Sequence, residues 1–173
     1  MLVGSRANQL LRDRLAGSNL VIAGTSAGAT VMGETMILGG SCPASGNDTA
    51  ASRPRTGPGL GLLPEVIIDM HFAERRRFPR LLAAVLRQPS HLGVGIDEDT
   101  AILVRPGQFD VLGSGAVLTI DASRAAAART ARAHHDRARF DVRLCRLHAG
   151  DAFDLHQREP AMATTAEKEN ASS

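Results

Sequence analysis

The stretch that most restricts how this chain can fold is Gly24-Thr25-Ser26-Ala27-Gly28, set directly after the apolar run Leu20-Val21-Ile22-Ala23. That short run predicts a buried strand, and small residues flanking a serine predict a turn too tight for larger side chains. From Ala27 onward the sequence reads as a helix start. Strand, sharp turn and helix together make the Gly-x-Ser-x-Gly nucleophile elbow, in which backbone strain lifts Oγ clear of the chain. The amide after the serine, here that of Ala27, can then help to bind an oxyanion. The same five residues could equally bind another anion or only permit close packing, so the rest of the sequence has to decide.

A chain of 173 residues is long enough for one domain with a real core, and short for two. Aromatic residues make up only 3%, with neither Trp nor Tyr, so that core is aliphatic. All but Lys168 of the 20 basic residues are arginine, yet the net charge is only +2. The arginine cluster at Arg75–Arg77 and Arg80 contains a single aromatic, Phe78, too little for a base-stacking platform, which argues against nucleic acid as a partner. Cys42 and Cys145 lie far apart and have no metal-ligand spacing, as free thiols in a reducing compartment would. No apolar stretch approaches the roughly 20 residues needed to span a bilayer, and no signal-peptide core is visible. These observations lead us to expect a cytoplasmic protein without metal, cofactor or membrane partner.

Apolar spacing predicts a helix over Asn8–Leu15 ahead of the Leu20–Ala23 strand, half of a βαβ unit whose first strand would precede Met1. A helix over Ala27–Met32 and a short strand over Met36–Leu38 follow the elbow. Ser41 to Gly59 is rich in Ser, Thr, Gly and Pro and reads as a long surface loop. Val66-Ile67-Ile68 predicts a buried strand with Asp69 and His71 at its carboxyl end, the edge where open α/β sheets collect ligands. A helix through Leu81, Leu82, Val85 and Leu86 comes next, then a strand at Leu92–Ile96 and the acidic run Asp97-Glu98-Asp99. Thr100–Val104 and Phe109–Leu112 flank Pro106-Gly107 as a hairpin. Strands are also expected at Val117–Ile120 and from Phe140 to Arg146. Residues 123–139 read as a mobile Ala/Arg-rich excursion, and the chain from 157 to 173 as a disordered polar tail behind one domain spanning 1–156.

Acyl transfer by a serine needs a base within reach of Oγ and a group to orient that base. Of the six histidines, only His71 falls at the carboxyl end of a predicted buried strand. The orienting acid could be Asp48, Asp69, Asp97, Glu98 or Asp99, and spacing alone does not choose among them. Arg75, Arg76, Arg77 and Arg80 crowd a predicted helix start, where cations oppose the helix dipole. Such a cluster suggests an anion site, such as bidentate capture of a carboxylate.

Gly24–Ala29 (GTSAGA), Gly59–Pro64 (GLGLLP), Val66–Phe72 (VIIDMHF), Gly95–Ala101 (GIDEDTA) and Gly113–Val117 (GSGAV) occur in an order and spacing that resemble the cyanophycinase family of serine peptidases, which also contains aspartyl dipeptidases. The resemblance covers roughly residues 4 to 156. It implies an α/β fold of the class I glutamine-amidotransferase-like, flavodoxin-like type, with helices on both faces, lacking its first strands, and with a β-rich C-terminal part. It implies Ser26 as nucleophile, His71 as general base, Glu98 as the orienting carboxylate and the Ala27 amide as oxyanion donor. Substrate contacts map onto Asp69, Arg75, Arg77 and Arg80. The substrate would be cyanophycin, a polyaspartate bearing arginine on its β-carboxyls, released as β-Asp-Arg dipeptides by an exopeptidase. Small aspartyl or isoaspartyl dipeptides are the alternative substrates. Two departures stand out: Met70 takes the place of a family glutamine, and about a hundred family residues would precede the point matching Met1, on the scale of ordinary domains. An inner strand edge left uncovered there would favour a homodimer, and an inactive, peptide-binding remnant is the reading from a different functional class.

Overall fold

The computed structural model describes residues 2–40, 54–124 and 141–161. Helix α1 (Arg6–Gly17) begins at Ser5, whose hydroxyl accepts the Asn8 N–H at 3.3 Å. The strand expected at Leu20–Ala23 does not form. No strand among the described residues pairs with it, and Val21 is 78% exposed. An apolar run becomes a strand only where a neighbour accepts its backbone groups.

Helix α2 (Ala27–Thr30) is shorter than its sequence suggests, and strand β1 (Gly33–Gly39) is longer. Strand β2 (Arg55–Pro58) pairs antiparallel with β1 inside the stretch expected to be loop. Strand β3 (Leu63–Met70), helix α3 (Phe78–Arg87) and strand β4 (Leu92–Ile96) follow. The hairpin forms as expected from β5 (Thr100–Arg105) and β6 (Gln108–Gly113), and β7 (Ala116–Asp121) returns to the main sheet. Strands β8 (Arg143–His148), β9 (Ala152–Asp154) and β10 (Glu159–Ala161) complete the order. Because β10 pairs with β9, residues up to 161 are not tail; 162–173 lie outside the described residues, as does most of the Ala/Arg-rich stretch.

The main sheet runs β2-β1-β3-β4-β7-β8 and is mixed: β1, β3 and β4 are parallel, while β2, β7 and β8 join antiparallel. A second, antiparallel sheet runs β10-β9-β6-β5. Alternation along the strands divides the core between two faces. Ile67 and Ile120 pack with Leu81, Ala84 and Val85 of α3. Gly93 faces that helix, and a β-carbon there would sit 2.7 Å from a Val85 methyl, so glycine allows the close approach. On the opposite face Val66, Ile68, Val94, Ile96 and Val117 pack with Phe109, Val111 and Phe153 of the second sheet, where the two phenylalanine rings stack at 5.3 Å. Among the described residues, most of this face is covered by the antiparallel sheet, which is the β-rich C-terminal part, and not by a second layer of helices. Among the described residues no helix is long and apolar enough to cross a membrane.

Parallel pairing of β3 with β4 sets Met70 opposite Ile96. The residues that follow, His71 on one strand and Asp97-Glu98 on the other, therefore leave the sheet side by side.

Candidate active site

Ser26 has φ 51° and ψ −118°, a backbone conformation that costs an L-residue on the order of 1–3 kcal/mol. The turn holds it there. Gly28 N–H donates to Thr25 O at 2.9 Å, and the Ala29 and Thr30 amides donate to Ser26 O at 3.1 and 3.0 Å. Gly24 must lack a side chain, since a β-carbon would lie 2.6 Å from Gly28 O. At Gly28 the space is open, so packing does not impose glycine there. Ala27 opens α2, and its N–H therefore has no acceptor within the helix.

His71 is the first residue past β3 and also has a positive φ, 52°. That bend turns its ring between two partners. Nε2 lies 2.9 Å from Ser26 Oγ, and Nδ1 lies 2.9 Å from Glu98 Oε1. A carboxylate only accepts, so Nδ1–H donates to Glu98. The Nε2 lone pair is then left to accept from the Ser26 hydroxyl. Serine, histidine and carboxylate form one hydrogen-bonded chain, able to draw the proton from Oγ while the resulting imidazolium is stabilised from behind.

Two of the other candidate acids, Asp69 and Asp97, have carboxylates engaged elsewhere. Asp69 is 1% exposed and lies on the α3 side of the sheet. Asp97 uses one carboxylate oxygen for Ala73 N–H (3.0 Å) and the other for Ala116 N–H (3.2 Å). Asp99 is exposed, and its carbonyl accepts Ser114 N–H at 2.9 Å. Asp48, His134 and His135 lie outside the described residues. His91 contacts Thr35 Oγ1 at 3.4 Å, on another part of the sheet.

The arginine cluster is built around Asp69. Arg80 grips it with two donors, Nε to Oδ2 at 2.9 Å and Nη2 to Oδ1, and Arg77 Nη1 reaches Oδ1 at 3.2 Å. Arg77 also donates to the Met70 carbonyl. Burial pushes the Arg77 pKa down, while the charge of Asp69 opposes that shift. The cations that seemed misplaced at a helix start are balanced by a buried anion beneath them. Arg75 stands apart, exposed, with its backbone N–H donating to His71 O at 3.1 Å. Asp69 therefore holds Arg77 and Arg80 in place and does not itself face solvent.

Sequence reasoning overlooked the support under Glu98. The Gly113–Val117 block lies against the acidic turn: a β-carbon on Gly113 would meet Asp99 O at 2.0 Å, and one on Gly115 would meet Thr100 Oγ1 at 2.5 Å. Paired glycines shortly after an acidic run were the available signal, because only residues without side chains allow backbones to approach so closely.

A family model described as Peptidase family S51 matches residues 1–112. The chain is 43% identical over 153 residues to a cyanophycinase from Trichormus variabilis, covering 87% of this chain and 50% of that protein. It is equally similar to a cyanophycinase from Nostoc sp.. A third, from Geminocystis herdmanii, is 35% identical over 163 residues, covering 92% of this chain and 59% of its own length. The chain thus spans about half the length of the curated relatives it matches.

Proposed function

The chain belongs to peptidase family S51, and from that premise we propose that it is a serine hydrolase acting on cyanophycin or a related β-aspartyl peptide. Ser26 Oγ attacks the scissile carbonyl as His71 Nε2 takes its proton, and Glu98 fixes the ring and balances its charge. The Ala27 N–H helps to receive the developing oxyanion. His71 returns its proton to the departing amine, leaving an acyl-enzyme on Ser26 that water releases by the same relay. Arg75, Arg77 and Arg80 hold a carboxylate of the polymer end, and Asp69 acts through the last two. In the same reading the fold is of the class I glutamine-amidotransferase-like type.

The observation that carries this reading is the chain from Ser26 through His71 to Glu98, with 2.9 Å at each link. Its test is release of β-Asp-Arg from cyanophycin by the wild-type chain and by Ser26→Ala. Release by the wild type alone is expected, and equally little release from both would remove the enzyme reading. Met70, in place of a family glutamine, favours a second reading in which small aspartyl dipeptides are cleaved and polymer is not. The exposed Leu20-Val21 pair beside the elbow motivates a third, in which the chain self-associates as a homodimer and binds such peptides without turnover.

A further inference from the structure

Glu98 has a side chain that is 52% exposed, so packing does not fix it opposite His71. Its backbone is fixed from two directions. The Glu98 N–H donates to Glu74 Oε1 at 3.0 Å, and its carbonyl accepts from Thr100 Oγ1 at 2.8 Å. Glu74 lies in the loop that follows His71. The reverse contact also exists: Asp97, immediately before Glu98, accepts the N–H of Ala73, which lies two residues beyond His71, at 3.0 Å. Each loop therefore extends a carboxylate to an amide of the other. The second oxygen of Asp97 accepts Ala116 N–H at 3.2 Å, which ties the pair of loops to the start of β7.

We propose that Glu74 and Asp97 are positioning residues, a reciprocal clasp that sets the separation between base and orienting carboxylate. The inference rests on the reading of Ser26, His71 and Glu98 as a proton relay, and it adds what holds that relay in register. Parallel strands β3 and β4 bring the two loops side by side, and one backbone bond past the end of β3, Phe72 N–H to Ile96 O at 3.1 Å, still links them; from Ala73 and Asp97 onward the contacts between the loops are made by the two carboxylates. Beyond the strand ends both loops turn through positive φ, at His71 (52°) and Asp99 (50°). Cross-loop acceptors hold such turns to a single arrangement. A displacement of about 1 Å between catalytic groups can cost on the order of a hundredfold in rate.

The clasp predicts an order of variants that charge or bulk alone does not. Glu74 accepts one N–H, so Glu74→Gln keeps the acceptor and should behave like wild type, whereas Glu74→Ala should not. Asp97 accepts two N–H groups with two oxygens, so Asp97→Asn turns an NH2 donor towards one of them and should fail like Glu74→Ala. Two measurements are made on each variant: the rate of Ser26 labelling by a fluorophosphonate, and the Nδ1–H proton resonance of His71, identified by its loss in His71→Gln. Labelling up to about a hundredfold slower and a shifted or lost resonance are expected in Glu74→Ala and Asp97→Asn, with both restored in Glu74→Gln. Because Glu74 is exposed, its two variants decide the matter even where Asp97→Asn folds poorly. An unmoved resonance in Glu74→Ala, or Glu74→Gln failing equally, would overturn the clasp. If wild type does not label at all, the hydrolase reading falls, and the resonance alone decides whether the clasp sets the His71–Glu98 pair.

Discussion

A carboxylate that is 1% exposed cannot stay ionised without partners, and Asp69 has two guanidiniums for that purpose. The pairing fixes the start of α3 against the end of β3, two residues before His71. Removing the charge leaves Arg77 and Arg80 facing each other over an uncompensated site. Asp69→Asn should cost about 3 kcal/mol in chemical denaturation, the lower end for a broken buried ion pair, because both arginines keep partial access to water. In turnover the loss should fall on KM more than on kcat, since the arginines and not the relay are displaced. This residue also shows how far sequence carries. Position placed Asp69 near the site, and the resemblance assigned it to substrate. Its role as the counter-charge beneath the arginines depends on α3 folding back over the sheet, which no local pattern encodes.

Element by element, legibility followed burial. Val66-Ile67-Ile68 and Leu92–Ile96 read as buried strands because β-branched and aliphatic runs bounded by breakers have few other uses, and both lie at the centre of the sheet. Strands β2 and β10 were missed because they are short edge strands that carry Pro58 and Pro160, a residue tolerated where half the N–H groups need no partner. Leu20–Ala23 was misread in the opposite direction, since an apolar run does not report whether a neighbour is available. Glu98 could not be separated from Asp97 and Asp99 by spacing, because the turn that aims each one differently is set by contacts with the Gly113–Val117 block. The fit between β4 and the loop after β3 gives a direct test at this scale. A β-carbon on Gly95 would lie 2.5 Å from the Phe72 ring, and Phe72 follows His71 in the chain. Gly95→Ala should therefore destabilise by about 1–3 kcal/mol, as overpacking does. It should also slow turnover by moving the base, which thermal unfolding and a rate assay would separate.

Across the whole molecule, the two sheets are joined by a buried charge far from the site. Asp121, at the end of β7 and 3% exposed, accepts Arg143 at 3.0 Å from β8 and Arg158 at 2.9 Å from the turn before β10. Arg158 also reaches Glu65 at the start of β3 and the Ser90 carbonyl. Burial alone would raise the Asp121 pKa; hydrogen bonds from Ser123 and the two arginines outweigh it and bring it from 3.8 to about 2. A carboxyl held lower in the folded state contributes stability that is present above its unfolded pKa and is lost as pH falls through the folded one. That contribution, about 2 kcal/mol at neutral pH, should disappear between roughly pH 4 and pH 2. Unfolding midpoints measured across that window should fall for wild type, and Asp121→Asn should start lower and show a flatter decline.

The relay itself is the claim on which the rest depends, and its direct measurement is the intact mass of the chain after exposure to a fluorophosphonate. One covalent adduct is expected, mapped to Ser26 by peptide digestion, absent in Ser26→Ala and strongly slowed in His71→Ala. A chain that gains no adduct, or one that still gains it in Ser26→Ala, would contradict the assignment.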